Sequence, residues 1–148
     1  MDIHKNCVFC AIASGRASAH IVYDSADLVA FLDLRPIRPG HVQIVPKAHI
    51  PYFDRLAPEI AAAIVQLGQR VAAAQKALYG VERVGFVFTG GDIPHVHAHV
   101  VPLVDGTDIT SRRYIVEPDL TFADLPRASD NDLASTAKSL VRALNHPV

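Results

Sequence analysis

Cysteine, net charge and long apolar runs are all scarce in this chain, and each shortage excludes a class of protein. Cys7 and Cys10 are the only cysteines among 148 residues, too few for a small secreted domain held together by disulfides. The 14 Lys and Arg residues against 15 Asp and Glu residues leave a net charge of -1, which predicts no nucleic-acid duplex as partner. No apolar run has the length of a signal-peptide core or a membrane span, so we expect a cytoplasmic protein with no membrane partner.

The composition is that of one folded domain. Hydrophobic residues make up 50% of the sequence and charged residues 20%, a globular balance that excludes a mostly disordered chain. A length of 148 residues suits one domain whose core needs no covalent staples. Since no repeat, low-complexity tract or linker interrupts the sequence, we predict a single domain over residues 1–148.

Short apolar segments predict an α+β fold with an antiparallel sheet. Residues typical of β-structure favour strands at 21–23, 28–33, 41–45 and 84–88, and the polar turn at 24–27 makes the first two a hairpin. A long helix is predicted over 58–79, with Pro58 in its first turn and Gly80 as its stop signal. A short helical turn over 7–15 carries both cysteines and ends at Gly15.

The last third of the chain carries weaker signals. Between Pro102 and Ala128 the apolar pattern fades over a stretch longer than an ordinary connection, which is typical of a functional loop, a lid or a partner-binding arm. Ser129 or Asp130 is a candidate N-cap, and the apolar stripe that follows predicts a closing C-terminal helix. We therefore treat residues 104–148 as a C-terminal extension of the domain.

Three histidines alternate with apolar residues near the middle of the chain. Because successive side chains of a strand point to opposite faces, His95, His97 and His99 are expected on one face, while Val96, Ala98 and Val100 enter a core. Imidazole transfers protons near neutral pH, acts as a nucleophile and ligates metals. The alternation thus favours a chemical role over the alternative of a half-buried edge strand with solvated histidines.

Cys7 and Cys10 form a Cys-x-x-Cys pair, which supplies half of a tetrahedral zinc site. Histidines must complete such a site, and spacing alone does not choose among the eight candidates, His4, His20, His41, His49, His95, His97, His99 and His146. Free thiols and a redox pair are the alternatives, although no strand precedes Cys7 as it would in a thioredoxin-like βαβ unit.

Residues 95–101, HVHAHVV, resemble the signature of the histidine triad superfamily, which is His-x-His-x-His followed by two positions, with every x apolar. Three other blocks look like those of the superfamily and occur in the same order, CVFC at 7–10, FLDLRP at 31–36 and GHVQIVPKAHI at 40–50. The likeness covers residues 5–103 and points to the zinc-containing branch of nucleoside phosphoramidase-like hydrolases.

The resemblance implies a fold and a reaction. The implied fold is an antiparallel half-barrel sheet with one long helix, here followed by a C-terminal helix, and usually paired as a homodimer. The implied reaction is hydrolysis or transfer at the α-phosphate of a nucleotide, purine favoured, in which His97 attacks phosphorus and forms a covalent nucleotidyl intermediate that water resolves. His99 and His41 would bind phosphate oxygens or pass protons, and no catalytic metal is required.

The resemblance also implies ligands. In zinc-containing members, two histidines like His49 and His95 complete the Cys7 and Cys10 pair around a structural zinc ion. Nucleotide-binding positions carry over to Val8 and Phe9 at the base, Phe31 in the pocket wall and Asp33 at the ribose hydroxyls. Val8 and Phe31 are equally compatible with plain core positions. For Asp33, at the end of an apolar strand, a functional role is favoured over the alternative of a turn cap. His4, His20 and His146 are expected at the surface.

The chain departs from the superfamily's pattern beside the triad. Thr89 stands where many relatives have asparagine, and Asp92 where serine or threonine commonly contacts the leaving group; we include both among the nucleotide-binding candidates. An ionised Asp92 about 4 Å from a phosphate charge would be repelled by roughly 4 kcal/mol at an effective dielectric of about 20. Asp92 must therefore turn away, pair with a cation such as Arg112 or Arg113, or hold a proton.

Three functions compete at this point. The first is a nucleotidyl hydrolase or transferase acting on nucleoside phosphoramidates, dinucleoside polyphosphates or related mononucleotides. The second is a nucleotide-binding protein with little turnover. It is motivated by Thr89, Asp92 and the loop at 90–94, which is shorter than the superfamily's usual loop before the triad. The third is a transition-metal site on the histidine strand, which requires metal on His97 and His99.

Overall fold

The structure is a computed structural model and describes residues 6–109 and 125–146. In chain order its elements are α1 (Val8–Ala13), β1 (Ile21–Asp24), β2 (Leu28–Leu32), β3 (Val42–Pro46), a 3-10 turn (Phe53–Arg55), α2 (Pro58–Tyr79), β4 (Arg83–Thr89), β5 (His97–Leu103) and α3 (Asp130–Asn145). His4, Arg112, Arg113 and most of the predicted irregular stretch lie outside the described residues. None of the described helices has the length and apolarity needed to cross a bilayer.

The five strands form one antiparallel sheet in the order β1-β2-β3-β5-β4, which confirms the predicted α+β class. The hairpin of β1 and β2 is as predicted, and β4 pairs with β5 in antiparallel register. The third strand begins one residue later than expected, so that His41 precedes it and Pro46 is its last residue. Pro46 is tolerated there because it is the last residue of β3 and lies beyond the part of the strand that pairs with β5.

Alternation along the strands separates two faces of the sheet. On one face, buried side chains of β2, β3 and β5 pack against α2 and α3, and this helix-covered core includes Ala30, Ile44, Val100, Ile64 and Leu140. The opposite face carries a smaller core formed by Phe9 of α1 with Val29, Phe31 and Val45. His97 and His99 belong to this second face, which we call the site face, because Ala98 and Val100 point into the helix-covered core.

The long helix also positions the segment that leads into β3. Gln75 of α2 is completely buried, and its Nε2 donates to the carbonyl oxygens of Gly40 and Val100, each at 2.8 Å. Gly40 has φ +87°, and a Cβ there would collide with the ring of Tyr79. Only glycine therefore lets the chain pass this close to α2 and present the next residue, His41, to the site face.

Candidate active site and metal centre

The histidine segment is a strand only from its second histidine onward. β5 begins at His97, which lies opposite Thr89, the last residue of β4. The backbone N–H of Val96 donates instead to Ile50 O at 2.7 Å, in the segment that follows β3. His95 therefore precedes the strand, and its ring packs against Phe9 of α1 at 5.8 Å between centroids.

Cys7, Cys10, His49 and His95 come together at the start of α1. Their Sγ and Nδ1 atoms all lie within 4.8 Å of one another. Cys7 Sγ lies 3.4 Å from His95 Nδ1. Cys10 Sγ lies 3.2 Å from His49 Nδ1 and 3.5 Å from His95 Nδ1. Ordinary zinc bond lengths and a tetrahedral angle place such S and N ligands about 3.6 Å apart, so the donor set fits a zinc ion in both chemistry and size.

The protonation of His95 also suits a ligand. Its Nε2 lies 2.8 Å from the carbonyl oxygen of Pro46, which can only accept a hydrogen bond, so Nε2 carries the hydrogen. The lone pair is then on Nδ1, the atom that faces both sulfur atoms. A carbonyl that orients a ligating histidine in this way is the usual outer partner of a zinc ligand.

His97 is held in the opposite tautomer. Its Nδ1 lies 2.7 Å from the backbone carbonyl oxygen of His95 and therefore donates to it, which leaves the lone pair on Nε2. The ring is only 5% exposed and packs against Phe9 at 5.1 Å between centroids. A neutral imidazole with a fixed, unprotonated Nε2 is suited to nucleophilic attack. Because the orienting carbonyl belongs to His95, the candidate zinc cluster and the fixed tautomer of His97 share one residue.

His41 and His99 form a hydrogen-bonded pair beside His97. The backbone N–H of Ile37 donates to His41 Nδ1 at 3.2 Å, so the hydrogen of neutral His41 is on Nε2. His41 Nε2 lies 2.8 Å from His99 Nδ1 and donates to it, which leaves the His99 hydrogen on Nε2. Burial lowers the pKa of His41 to about 4, with a smaller opposing effect of Asp33, and burial also lowers the pKa of His99. Both rings are thus neutral at pH 7, and His99 presents a donor.

The buried neutral His41 makes the stability of the fold depend on pH. Its folded pKa of about 4 is below the ordinary value of 6.5, so the unfolded chain binds the extra proton first and stability is lost as the pH falls through this window. We expect His41 to lower the free energy of unfolding by roughly 3 kcal/mol between about pH 6.5 and pH 4. Urea denaturation of the wild type and of His41→Gln at several pH values measures this difference. Parallel pH dependences would contradict it.

The candidate ribose ligand Asp33 follows β2 and is fixed on both carboxylate oxygens. Its Oδ1 accepts from the backbone N–H of Arg35 at 2.8 Å, and its Oδ2 accepts from Gln43 Nε2 at 2.6 Å. The first of these bonds is a turn-capping contact, the role that the alternative interpretation gave to Asp33. Oδ2 also lies 3.7 Å from His41 Nε2, which places the carboxylate at the margin of the histidine cluster.

The candidate base-binding residues occupy different environments. Val8 is 46% exposed at the start of α1 and is available to a ligand. Phe9 and Phe31 are each only 4% exposed and pack on one another at 5.6 Å. In the structure these two aromatic rings belong to the small core beneath the site, where Phe9 supports His97, and they offer little surface to a ligand.

The residues that depart from the superfamily's pattern lie at the open end of the site. Thr89 is exposed, and its Oγ1 lies 3.1 Å from His97 Nε2 and 2.9 Å from His99 Nε2. Asp92 is exposed and near enough for its charge to raise the pKa of His99, although burial outweighs that effect. Since Arg112 and Arg113 lie outside the described residues, the structure assigns Asp92 no cationic partner among the residues it describes.

A metal on the triad strand fits the geometry poorly. Asp33, His41 and His99 do form a compact group of ligand atoms, but His97 is not part of any such group among the described residues. The Ile37 amide requires the lone pair of His41 to be on Nδ1, so Nε2, which faces the group, carries a hydrogen and cannot ligate. A hydrogen bond between His41 and His99 accounts for their separation without a metal.

Several groups that orient the site could not be identified individually from the sequence. The Ile37 N–H and the Pro46 and His95 carbonyls are backbone atoms, so no side-chain pattern reveals them. Arg38, next to Ile37, donates from Nε and Nη2 to the Asp108 carboxylate at 2.9 and 2.7 Å and holds the pKa of Asp108 down, at about 2. This pair ties the start of the C-terminal extension to the loop that orients His41.

Comparisons with known proteins agree with this geometry. The chain is 35% identical over 109 residues to an uncharacterised HIT-like protein of Mycobacterium tuberculosis, covering 70% of this chain and 76% of the relative. It is 31% identical over 102 residues to adenosine 5'-monophosphoramidase of Schizosaccharomyces pombe, covering 66% and 74%. A zinc-bound histidine triad family protein from Mycobacterium smegmatis superimposes with a TM-score of 0.74 at 30% identity, covering 95% and 94%.

The sequence profile of the HIT domain matches residues 14–106, a span that contains the triad, the His41 and His99 pair and both histidines of the metal centre. The matching span and the identity to the mycobacterial relative together establish that this chain belongs to the HIT domain family.

Proposed function

We propose that this protein is a nucleotide hydrolase or nucleotidyltransferase that acts at the α-phosphate of nucleoside phosphoramidates or dinucleoside polyphosphates through a covalent nucleotidyl-His97 intermediate. The observation that carries the proposal is the tautomer of His97, whose Nδ1–H is bound to His95 O so that the lone pair lies on Nε2. The adenosine phosphoramidase among its relatives supports the same chemistry.

The reaction proceeds in two displacements. In the first, the Nε2 lone pair of His97 forms a bond to phosphorus while the bond to the leaving amine or phosphate breaks, and that electron pair departs with the leaving group. In the second, water attacks the same phosphorus and releases a proton to solvent, while the nitrogen–phosphorus electron pair returns to Nε2. Throughout, the Nε2–H of His99, held in place by His41, donates to a phosphoryl oxygen, where negative charge develops.

The nucleotide is oriented by groups around this centre. The Asp33 carboxylate, fixed by Gln43 and the Arg35 amide, accepts the ribose hydroxyls. The base rests on Val8, with Phe9 and Phe31 beneath, and a purine offers the larger face for this contact. Gly90 and Gly91, exposed after β4, offer backbone amides to the phosphate.

A zinc ion held by Cys7, Cys10, His49 and His95 has a structural role in this proposal. It would join α1 to the segment after β3, which carries His49, and to the segment before β5, which carries His95, and four protein ligands would leave no open position for a substrate. Its contribution to catalysis is indirect, because His95 supplies the carbonyl that fixes the tautomer of His97.

A second copy of the chain is the proposed partner, and it pairs at β4, one of the two edge strands of the sheet. Phe86 of β4 is 38% exposed and lies over Gly68 of α2. Phe53, which packs on Phe88 of the same strand, is 58% exposed, and Val65 of α2 is 45% exposed. An exposed apolar edge strand is a surface that a partner strand covers. Light scattering is expected to give the mass of two chains for the wild type and of one chain for Phe86→Glu. A monomeric wild type would contradict this prediction.

The proposed reaction is tested by incubating the protein with adenosine phosphoramidate and diadenosine polyphosphates, with guanosine and uridine analogues for base preference. We expect release of the nucleoside monophosphate and, after quenching without acid, a nucleotidyl adduct on His97 identified by peptide mass spectrometry. Nucleotide binding without product or adduct would overturn the proposal in favour of a nucleotide-binding protein with little turnover.

A further inference from the structure

We infer that the Thr89 hydroxyl is a positioning group that ties the nucleophile His97 to the donor His99 in one directed hydrogen-bond chain. The inference rests on the proposed function and deepens it, because it gives Thr89 a role toward the two histidines and not only toward the nucleotide. It starts from the hydroxyl oxygen, which lies within hydrogen-bonding distance of Nε2 of both rings, 3.1 Å from His97 and 2.9 Å from His99.

The direction of each bond in the chain follows from its two ends. At one end the Ile37 amide can only donate, so His41 donates from Nε2 to His99, and His99 donates from Nε2 to Thr89 Oγ1. At the other end the His95 carbonyl can only accept, so His97 donates from Nδ1 and its Nε2 is an acceptor. The single hydroxyl hydrogen of Thr89 therefore points at the lone pair of His97 Nε2.

Thr89 is placed for this task by the sheet. It is the last residue of β4 and lies directly opposite His97 in the ladder with β5, so the two side chains share the site face. His99 lies two residues further along the same face of β5. A β-branched side chain at a strand end has few rotamers, so the hydroxyl stays between the two rings with little loss of conformational entropy.

The hydroxyl thereby marks the point where the reaction occurs. In the free protein the Thr89 hydroxyl donates to His97 Nε2 and accepts from His99 Nε2. The nucleophile and the donor are therefore oriented toward one point before substrate binds. When phosphorus takes the lone pair of His97, the hydroxyl hydrogen turns to a phosphoryl oxygen, and the bond from His99 is shared with the same oxygens. No proton is transferred in this exchange, because the hydroxyl keeps its hydrogen and only its acceptor changes, from His97 Nε2 to a phosphoryl oxygen.

The test compares Thr89→Val, which keeps the shape and removes the hydroxyl, with Thr89→Ser, which keeps the hydroxyl. For Thr89→Val we expect the single-turnover rate of adduct formation to fall about tenfold, the value of one neutral hydrogen bond, with AMP affinity changed less than about threefold. Thr89→Ser is expected to restore the rate to within about threefold of the wild type. A tenfold loss of AMP affinity with an unchanged rate would overturn the inference, because Thr89 would then be a nucleotide-binding residue alone.

A second measurement does not depend on turnover. Nitrogen-15 spectra of the histidine rings are expected to show hydrogen on Nδ1 of His97 and on Nε2 of His41 and His99. In Thr89→Val the His97 Nε2 resonance is expected to move toward that of an imidazole nitrogen without a hydrogen-bond donor, with the other ring nitrogens less affected. Unchanged His97 spectra in this variant would overturn the inference even if the wild type hydrolyses its substrate. A shift in a protein without turnover would uphold the hydrogen-bond chain while the proposed function fails.

Discussion

His97→Gln is expected to lower kcat/KM for adenosine phosphoramidate by about 10⁴-fold or more and to abolish the nucleotidyl adduct, the usual scale for loss of a nucleophile. The side-chain amide has no lone pair able to attack phosphorus, whereas the imidazole Nε2 does. Glutamine retains a donor for the His95 carbonyl and enough apolar surface to rest on Phe9, so the fold and nucleotide binding are expected to survive.

The matched control for this prediction is His146→Gln, which makes the same chemical change at an exposed residue at the end of α3. Rapid-quench kinetics and intact-protein mass spectrometry measure the rate and the adduct, and calorimetric titration with AMP measures binding. A His97→Gln variant that retains AMP affinity and activity within tenfold of the control would exclude His97 as the nucleophile.

Loss of the metal centre is expected to have the largest effect on stability. Structural zinc sites contribute roughly 10–16 kcal/mol to the folding of small zinc-finger peptides, comparable to the total stability of a domain, about 5–15 kcal/mol. This domain has a helix-covered core of its own, so we expect the metal centre to supply about a third of that contribution. A loss of about 4 kcal/mol in the free energy of unfolding corresponds to a Tm lower by roughly 10 °C. Cys10→Ser and prolonged chelation are both expected to produce this loss.

Metal analysis distinguishes the two clusters of histidines. We expect one zinc per chain in the wild type and in His99→Gln, and none in Cys10→Ser, because His99 belongs to the hydrogen-bonded pair with His41. Zinc-free protein is also expected to lose phosphoramidase activity, since His95 would no longer be held in place to orient His97. Metal that persists in Cys10→Ser but is absent from His99→Gln would place the ion on the triad strand instead.

The elements most accessible to prediction were those encoded by neighbouring residues. The bounds of α2 agree with Pro58 and Gly80, and Ser129 is the N-cap of α3, because these signals act within one helical turn. The predicted start of β5 was wrong at His95. The alternation in the sequence continues through His95, but the backbone N–H of Val96 donates to Ile50, which is distant in sequence, and the strand begins only at His97. Phe31 is likewise buried by its contacts in the smaller core with Phe9, Val29 and Val45, which the sequence of its own strand does not reveal.

By itself the sequence determined the alternation of strands and helices, the family and the residue types that the chemistry needs. The tertiary structure alone decided what each histidine does, because a ring's tautomer depends on backbone groups far away in the chain. Pro46 O directs the lone pair of His95 to the sulfur atoms, the Ile37 amide makes His41 a donor, and Thr89 meets two rings at once. These contacts join strands that only sheet formation brings together, so one repeated residue type yields a metal ligand, a nucleophile and a donor.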